Sequence, residues 1–184
     1  MTVYNTPGDA ANTAVRSFLT KVGEYYLQKS FNTGSGYGKL EWERIKTNVF
    51  NNKCAYCNIA SSKLQIEHLI MFNRTEYGLH HPGNVVPACS ECNKRAKTNN
   101  NRYANWKEHL EGVCRKNKED DKFADRKKKI NDHIKREKYP NLTEAEKNSI
   151  RVIANSLYEN IKQEMEKSIA LYKELDKSFV RKKK

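Results

Sequence analysis

The chain has no run of 18 or more apolar residues, so nothing in it reads as a bilayer span, which needs about 20 in a row. Its first residues, MTVYNTPGDA, lack both the basic start and the apolar stretch of a secretory leader, and a cytoplasmic location is the expectation. Cysteine is scarce. Five in 184 residues do not make a disulfide scaffold, which fits a reducing compartment. Apolar residues are only 37% of the chain, so the core is modest and a metal clip would help it. The length suits one domain, or one small domain with an elaboration. The glycine-rich stretch NTGSGYGK at 32–39 lacks the Gly-Lys-Ser/Thr ending of a nucleotide-binding loop and reads as a connector.

What the chain has in excess is positive charge. Thirty-five Lys and Arg face 22 Asp and Glu, a formal charge of +13 and a pI near 9.5. Such a balance points to a polyanionic partner, nucleic acid before membrane. The segment 115–138 alone holds eleven basic against six acidic residues, either a solvated face or a DNA-backbone contact.

Periodicity predicts mostly helix. A helix is expected over 13–28, with Val15, Phe18, Leu19, Val22, Tyr25 and Tyr26 on one face, and another over 40–50. KLQIEHLI at 63–70 reads as a strand and 84–87 as a second, with a polar loop at 73–83 between them. A helix is expected to open after Cys92. Another is expected at 102–114, with Tyr103, Trp106, Leu110 and Val113 on one side and Cys114 as a buried small hydrophobe. Thr143-Glu144-Ala145-Glu146 is a capping-box signature, opening a long helix to about Phe179. Its apolar positions from Ile150 to Phe179 recur nearer 3.6 than 3.5 residues apart, the mark of an amphipathic packing or dimerisation element.

The centre of the sequence carries the chemistry. Two Cys-x-x-Cys pairs, Cys54/Cys57 and Cys89/Cys92, are separated by 31 residues. Each pair places two thiolates on one turn, and two turns together give the closed tetrahedral geometry of structural zinc. Between them lies Glu67-His68, and Asn84 and Asn93 flank the second pair. Together, Cys54-x-x-Cys57, Glu67-His68, Asn84-Val85-Val86-Pro87-x-Cys89-x-x-Cys92-Asn93 resembles an HNH nuclease with the ββα-metal fold and a four-cysteine zinc clip. The resemblance covers about residues 42–100 and is similar in size and basic flanks to small HNH type II restriction endonucleases.

The resemblance implies an α+β fold with a ββα-metal core over 42–114, and periodicity sets this core between an N-terminal helical and loop segment (1–41) and a basic linker with a helical C-terminal region (115–184). The resemblance also implies a homodimer hydrolysing phosphodiesters in double-stranded DNA. His68 would be the general base, an imidazole being able to take a proton near neutrality. Glu67 and Asn93 would hold a catalytic Mg²⁺ or Mn²⁺ through oxygen, while Asn84 would pin the loop that orients His68. Adjacent strand residues face opposite ways, so Glu67 and His68 need a strand end or a distortion to serve one site. Arg74, Lys94, Arg95 and Lys97 would form a positive rim against the DNA backbone. Glu67 where Asp is usual, Asn93 where His is usual, and Met71 where Pro is frequent are departures that remove no needed group. The alternatives are a nicking or homing HNH nuclease, a defence nuclease of low specificity, and a non-catalytic zinc module that binds DNA.

Overall fold

The computed structural model describes residues 6–98 and 102–180, the Val180 side chain excepted. Among them the protein is α+β, with five α-helices and one two-stranded antiparallel sheet. The helices are α1 (Pro7–Leu27), α2 (Gly36–Arg44), α3 (Trp106–Lys116), α4 (Phe123–Arg136) and α5 (Glu144–Leu175). The strands are β1 (Gln65–His68) and β2 (Val85–Ala88). By internal packing the chain divides into two units, one comprising 20–72 and 78–141 and the other 1–19, 73–77 and 142–184. Among the described residues no helix is long and apolar enough to cross a membrane.

The unit built on 20–72 and 78–141 holds the sheet and the main core. The β1/β2 register pairs Gln65 with Ala88, Glu67 with Val86 and His68 with Val85. All four residues of β2 are buried, and Pro87 is tolerated because each strand of a two-stranded sheet is an edge. Trp42, Ile45 and Phe50 meet Val85, Val86, Trp106, Leu110 and Ile130 in one cluster around the strands. Cys114 lies in that cluster, fully buried, as its helical spacing behind Trp106 and Leu110 suggests. After α2 the helix widens into a π-helical turn, Ile45–Val49, and delivers the chain to the first cysteine pair.

Three expectations change here. The glycine-rich 32–39 is no open connector throughout: α2 begins at Gly36. Gly38 is packed so closely on the Asn32 backbone that a Cβ would lie 2.4 Å from its oxygen. The helix expected after Cys92 is absent too. The chain turns through Asn93 and then runs extended. Thr98 N–H donates to Arg102 O at 2.7 Å and Ala104 N–H to Ala96 O at 3.0 Å, a bridge pairing Lys97 with Tyr103. In the expected basic linker the structure instead forms the helix Phe123–Arg136.

In the other unit, α5 opens with the capping box that its sequence predicts: the Thr143 hydroxyl accepts from Glu146 N–H and the Glu146 carboxylate accepts from Thr143 N–H. Arg74 stacks on the Tyr158 ring at 3.7 Å and pairs with Glu159 at 3.5 Å, and the Tyr77 hydroxyl donates to Asn155 Oδ1. Of α5, only Ile150 and Ala154 are buried.

A close approach within the first unit generates a test. A Cβ on Gly23 of α1 would lie 2.3 Å from the His80 carbonyl oxygen, so backbone must move to admit any side chain. Gly23→Ala should destabilise the protein by about 1–3 kcal/mol, the range for overpacking, and thermal denaturation followed by circular dichroism reads it. An unchanged midpoint would show that the two segments are not packed this closely.

Candidate metal centre and the strand residues it holds

The two cysteine knuckles are assembled by backbone hydrogen bonds. In the first, Asn58 N–H returns to Cys54 O at 2.9 Å and Cys54 N–H donates to Ile59 O at 3.0 Å. Asn58 takes the left-handed conformation such a turn requires, φ 59°, which asparagine tolerates better than most residues. In the second, Asn93 N–H returns to Cys89 O at 2.9 Å. Ala55 N–H donates to Pro87 O at 2.8 Å, fastening the first knuckle to β2, which itself leads into the second.

The four sulfurs of Cys54, Cys57, Cys89 and Cys92 therefore converge, all within 4.8 Å of one another. A zinc ion bound at about 2.3 Å from each sulfur gives a tetrahedron with edges of about 3.8 Å. The Cys57 and Cys89 sulfurs are 3.8 Å apart. The electrostatics agree. Cys54 is pulled down to about 4, first by its hydrogen bond with Cys92 and then by the Cys57, Cys89 and Tyr56 backbone, after a smaller opposing effect of burial. Burial pushes Cys57 up to about 11, and the hydrogen bond with Cys54 pushes Cys92 up. Among thiols this close one thiolate, Cys54, is favoured at the expense of Cys57 and Cys92, and a dication would remove that conflict. The site can hold a metal ion such as zinc.

His109 of α3 supports the second knuckle. Its Nε2 lies 2.8 Å from the Cys92 carbonyl; a carbonyl only accepts, so Nε2 carries the proton. The ring also meets Tyr56 edge-on at 4.6 Å.

Along β1 the expected site residues separate into two groups. On one face, Asn93 Nδ2 donates to Gln65 Oε1 at 2.7 Å, and Glu67 Oε1 accepts from Arg95 Nε at 2.7 Å. His68, the last residue of β1, has other partners: its ring stacks on Phe72 at 4.8 Å and its Nε2 lies 2.9 Å from His80 Nδ1. Burial holds His80 below its usual range, against a smaller opposing effect of the hydrogen bond it donates to the Phe31 backbone. A neutral His80 has one N–H, so the bond between the rings runs from His68 Nε2–H to His80 Nδ1. His68 Nδ1 is then the unprotonated atom. Burial first, then the neighbouring His80 ring and the Arg95 charge, push His68 down to about 3.

Asn84 joins the strand exit to the start of β2. Its Oδ1 accepts from Ile70 N–H at 2.8 Å, and its Nδ2 donates to Ile70 O at 2.9 Å and Leu79 O at 2.8 Å. A side chain with two donors and one acceptor in place fixes the segment just after His68. His133 of α4 reinforces it from behind, donating from Nε2 to Pro82 O and Val85 O.

The positive rim does not form as expected. Arg95 points inward, its side chain 2% exposed, with NH2 donating to His68 O and Leu69 O and NH1 to Ala104 O. The reason is electrostatic: Glu67 and three carbonyls offer a guanidinium more than water does once the core closes over them. Arg74 is occupied by Tyr158 and Glu159 of α5. Lys94 is exposed beside Glu91 at 3.9 Å, and Lys97 lies over the Tyr103 ring at 5.7 Å. The residues that sequence reasoning missed are His80, Arg95 as an internal clamp, and His109. No local pattern marks any of them.

Two tests follow. Cys57→Ser or Cys89→Ser should lose the bound metal and lower stability by several kcal/mol, because metal binding in such sites is folding energy. Cys114→Ser should keep one zinc per chain by elemental analysis; equal metal in all three would contradict the site. The second concerns pH. Burial holds all five histidines low: His68 to about 3, His81 to about 4, and His80, His109 and His133 in the same direction. The unfolded chain binds these protons near pH 6.5 and the folded chain only lower, so the unfolded state gains as pH falls. Urea denaturation at fixed zinc should show level stability above about pH 7 and a steady loss from about pH 6.5 toward 4. No loss before about pH 4 would mean that these rings are solvated.

No family model, no curated protein and no solved structure matches this chain.

Proposed function

We propose that the protein is a metal-dependent endonuclease of the HNH kind that hydrolyses phosphodiester bonds in double-stranded DNA, in the manner of a restriction enzyme. One observation carries this reading. A strand anchored to the four-cysteine clip ends in His68, whose Nδ1 is left unprotonated by His80 and whose following segment is pinned by Asn84. A neutral imidazole fixed in orientation at a strand end is the part a water nucleophile needs. The surrounding unit is also strongly basic, with 23 of the chain's Lys and Arg against 13 Asp and Glu, the charge a DNA backbone attracts.

In this reading water loses its proton to His68 Nδ1. The pKa near 3 makes the ring a weak base alone, and a phosphate placed beside it raises that affinity by favouring the imidazolium. Glu67 and Asn93 lie along one face of β1 and offer carboxylate and amide oxygens, donors of the kind Mg²⁺ or Mn²⁺ takes. Such an ion, when bound, supplies Lewis-acid stabilisation of charge on the phosphate and the leaving 3′ oxygen. Glu67 is shared with Arg95, so binding there competes with an internal ion pair and calls for a high metal concentration.

A second reading is a zinc-stabilised DNA-binding module without catalysis. The Glu67/Arg95 pair and the packing of His68 between Phe72 and His80 favour it, since both candidate groups have structural partners. Purified protein incubated with DNAs of known sequence in Mg²⁺ and in Mn²⁺ separates the two. The nuclease reading expects cleavage abolished by EDTA and reduced at least ~100-fold in His68→Ala, the usual scale of a lost general base. Discrete fragments identify a restriction enzyme; a smear identifies a nuclease of low specificity. DNA retarded in a gel but never cut overturns the enzyme and leaves the binding module.

A further inference from the structure

Tyr56, between the two thiols of the first knuckle, is the largest fully buried side chain of the core. Its ring packs edge-on against His109, but its buried hydroxyl has no hydrogen-bond partner among the described residues. Leaving a buried hydroxyl unpaired is destabilising, and phenylalanine would fill the same space without that cost. The oxygen therefore serves something other than packing. Burial and then the Glu67 charge keep it a neutral phenol, and Arg95 is the opposing charge beside it. Arg95 has a matching surplus. Of the five N–H groups of a guanidinium, Nε serves Glu67 Oε1 and Nη2 serves His68 O and Leu69 O. Nη1 makes only the long 3.4 Å contact with Ala104 O, which leaves one N–H over.

The Glu67/Arg95 pair gives this surplus a use. Glu67 reaches solvent, its side chain 13% exposed, while that of Arg95 is 2% exposed. A divalent cation arriving at Glu67 therefore meets the carboxylate from outside, with a guanidinium behind it. Two cations on one carboxylate repel each other, and the carbonyls that hold Arg95 keep it from water. Among the described residues, the acceptor beside it that stands unused is Tyr56 Oη. We propose that Tyr56 is a positioning residue for the divalent cation: its hydroxyl oxygen receives an N–H of Arg95 as the Glu67 carboxylate turns to the ion. The inference rests on the reading in which Glu67 binds Mg²⁺ or Mn²⁺. It makes the Arg95 clamp a two-position element, seated on Glu67 without the ion and on Tyr56 with it. The hydroxyl touches neither ion nor substrate and acts through Arg95. No covalent bond breaks and no proton is transferred; one N–H exchanges a carboxylate oxygen for a phenol oxygen.

Its test needs no cleavage. Tyr56→Phe keeps the ring and removes only the oxygen, so zinc content and circular dichroism should match the wild type. Without divalent ion its thermal midpoint should be equal or higher, an unpaired hydroxyl having gone. Zinc-loaded protein titrated calorimetrically with Mn²⁺, with no DNA present, should show a site that Glu67→Gln removes; the Gln amide oxygen can still accept from Arg95. Tyr56→Phe should weaken that site about 10- to 100-fold, the scale of one hydrogen bond to a charged group. In protein carrying ¹⁵N-arginine, Mg²⁺ should shift the Arg95 Nε–H resonance, and Tyr56→Phe should suppress the shift, which a purely structural tyrosine would leave unchanged. Equal Mn²⁺ affinity in Tyr56→Phe, with the site still lost in Glu67→Gln, would overturn the role of Tyr56 and leave the metal reading standing. A wild type with no Mn²⁺ site that Glu67→Gln removes would overturn both.

Discussion

Four sulfur atoms hold the central unit in register. β1 and β2 are four residues each, too short for a two-stranded sheet to persist alone in water. The knuckle at Cys54/Cys57 is fastened to β2 through Ala55 and Pro87, and β2 runs directly into the knuckle at Cys89/Cys92. A metal ion bound by all four cysteines would therefore clamp the Gln65/Ala88 end of the sheet, from which β1 runs to His68. The dependence is energetic as well as geometric, for a core built on 37% apolar residues has little stability to spare.

Arg95 is the second constraint. Its guanidinium lies under the exit of β1, bonded to the Glu67 carboxylate and to the carbonyls of His68, Leu69 and Ala104. A buried charge of this kind stays stable only while all its partners remain in place, and removing one partner strands the others. The arrangement holds Glu67 and the His68 backbone still, but it also spends the carboxylate on a protein cation. The same residues thus explain both a rigid strand end and the competition that any ion at Glu67 must overcome.

Much of this was legible in the sequence, and the division follows the range of each interaction. The Cys-x-x-Cys turns, the Thr143/Glu146 cap and the face of Trp106 and Leu110 are set by neighbours within four residues, so spacing alone reveals them. The strands expected at 63–70 and 84–87 from branched apolar residues bounded by polar loops form at 65–68 and 85–88. The inward turn of Arg95 was not, because its partners lie 26 to 28 positions upstream and nine downstream. For the same reason Asn93 looked like the start of a helix. Its local polar run permits one, but the pairing of Ala96 with Ala104 draws the chain into an extended bridge. Arg74 reads as a rim cation until the fold supplies Tyr158 and Glu159, more than 80 residues later.

The central claim is that four cysteine sulfurs and no other atoms surround one metal ion. X-ray absorption at the zinc edge on purified protein tests it most directly. The account predicts a single shell of four sulfurs at about 2.3 Å. A shell containing nitrogen or oxygen, or protein that is folded and free of metal, would contradict it.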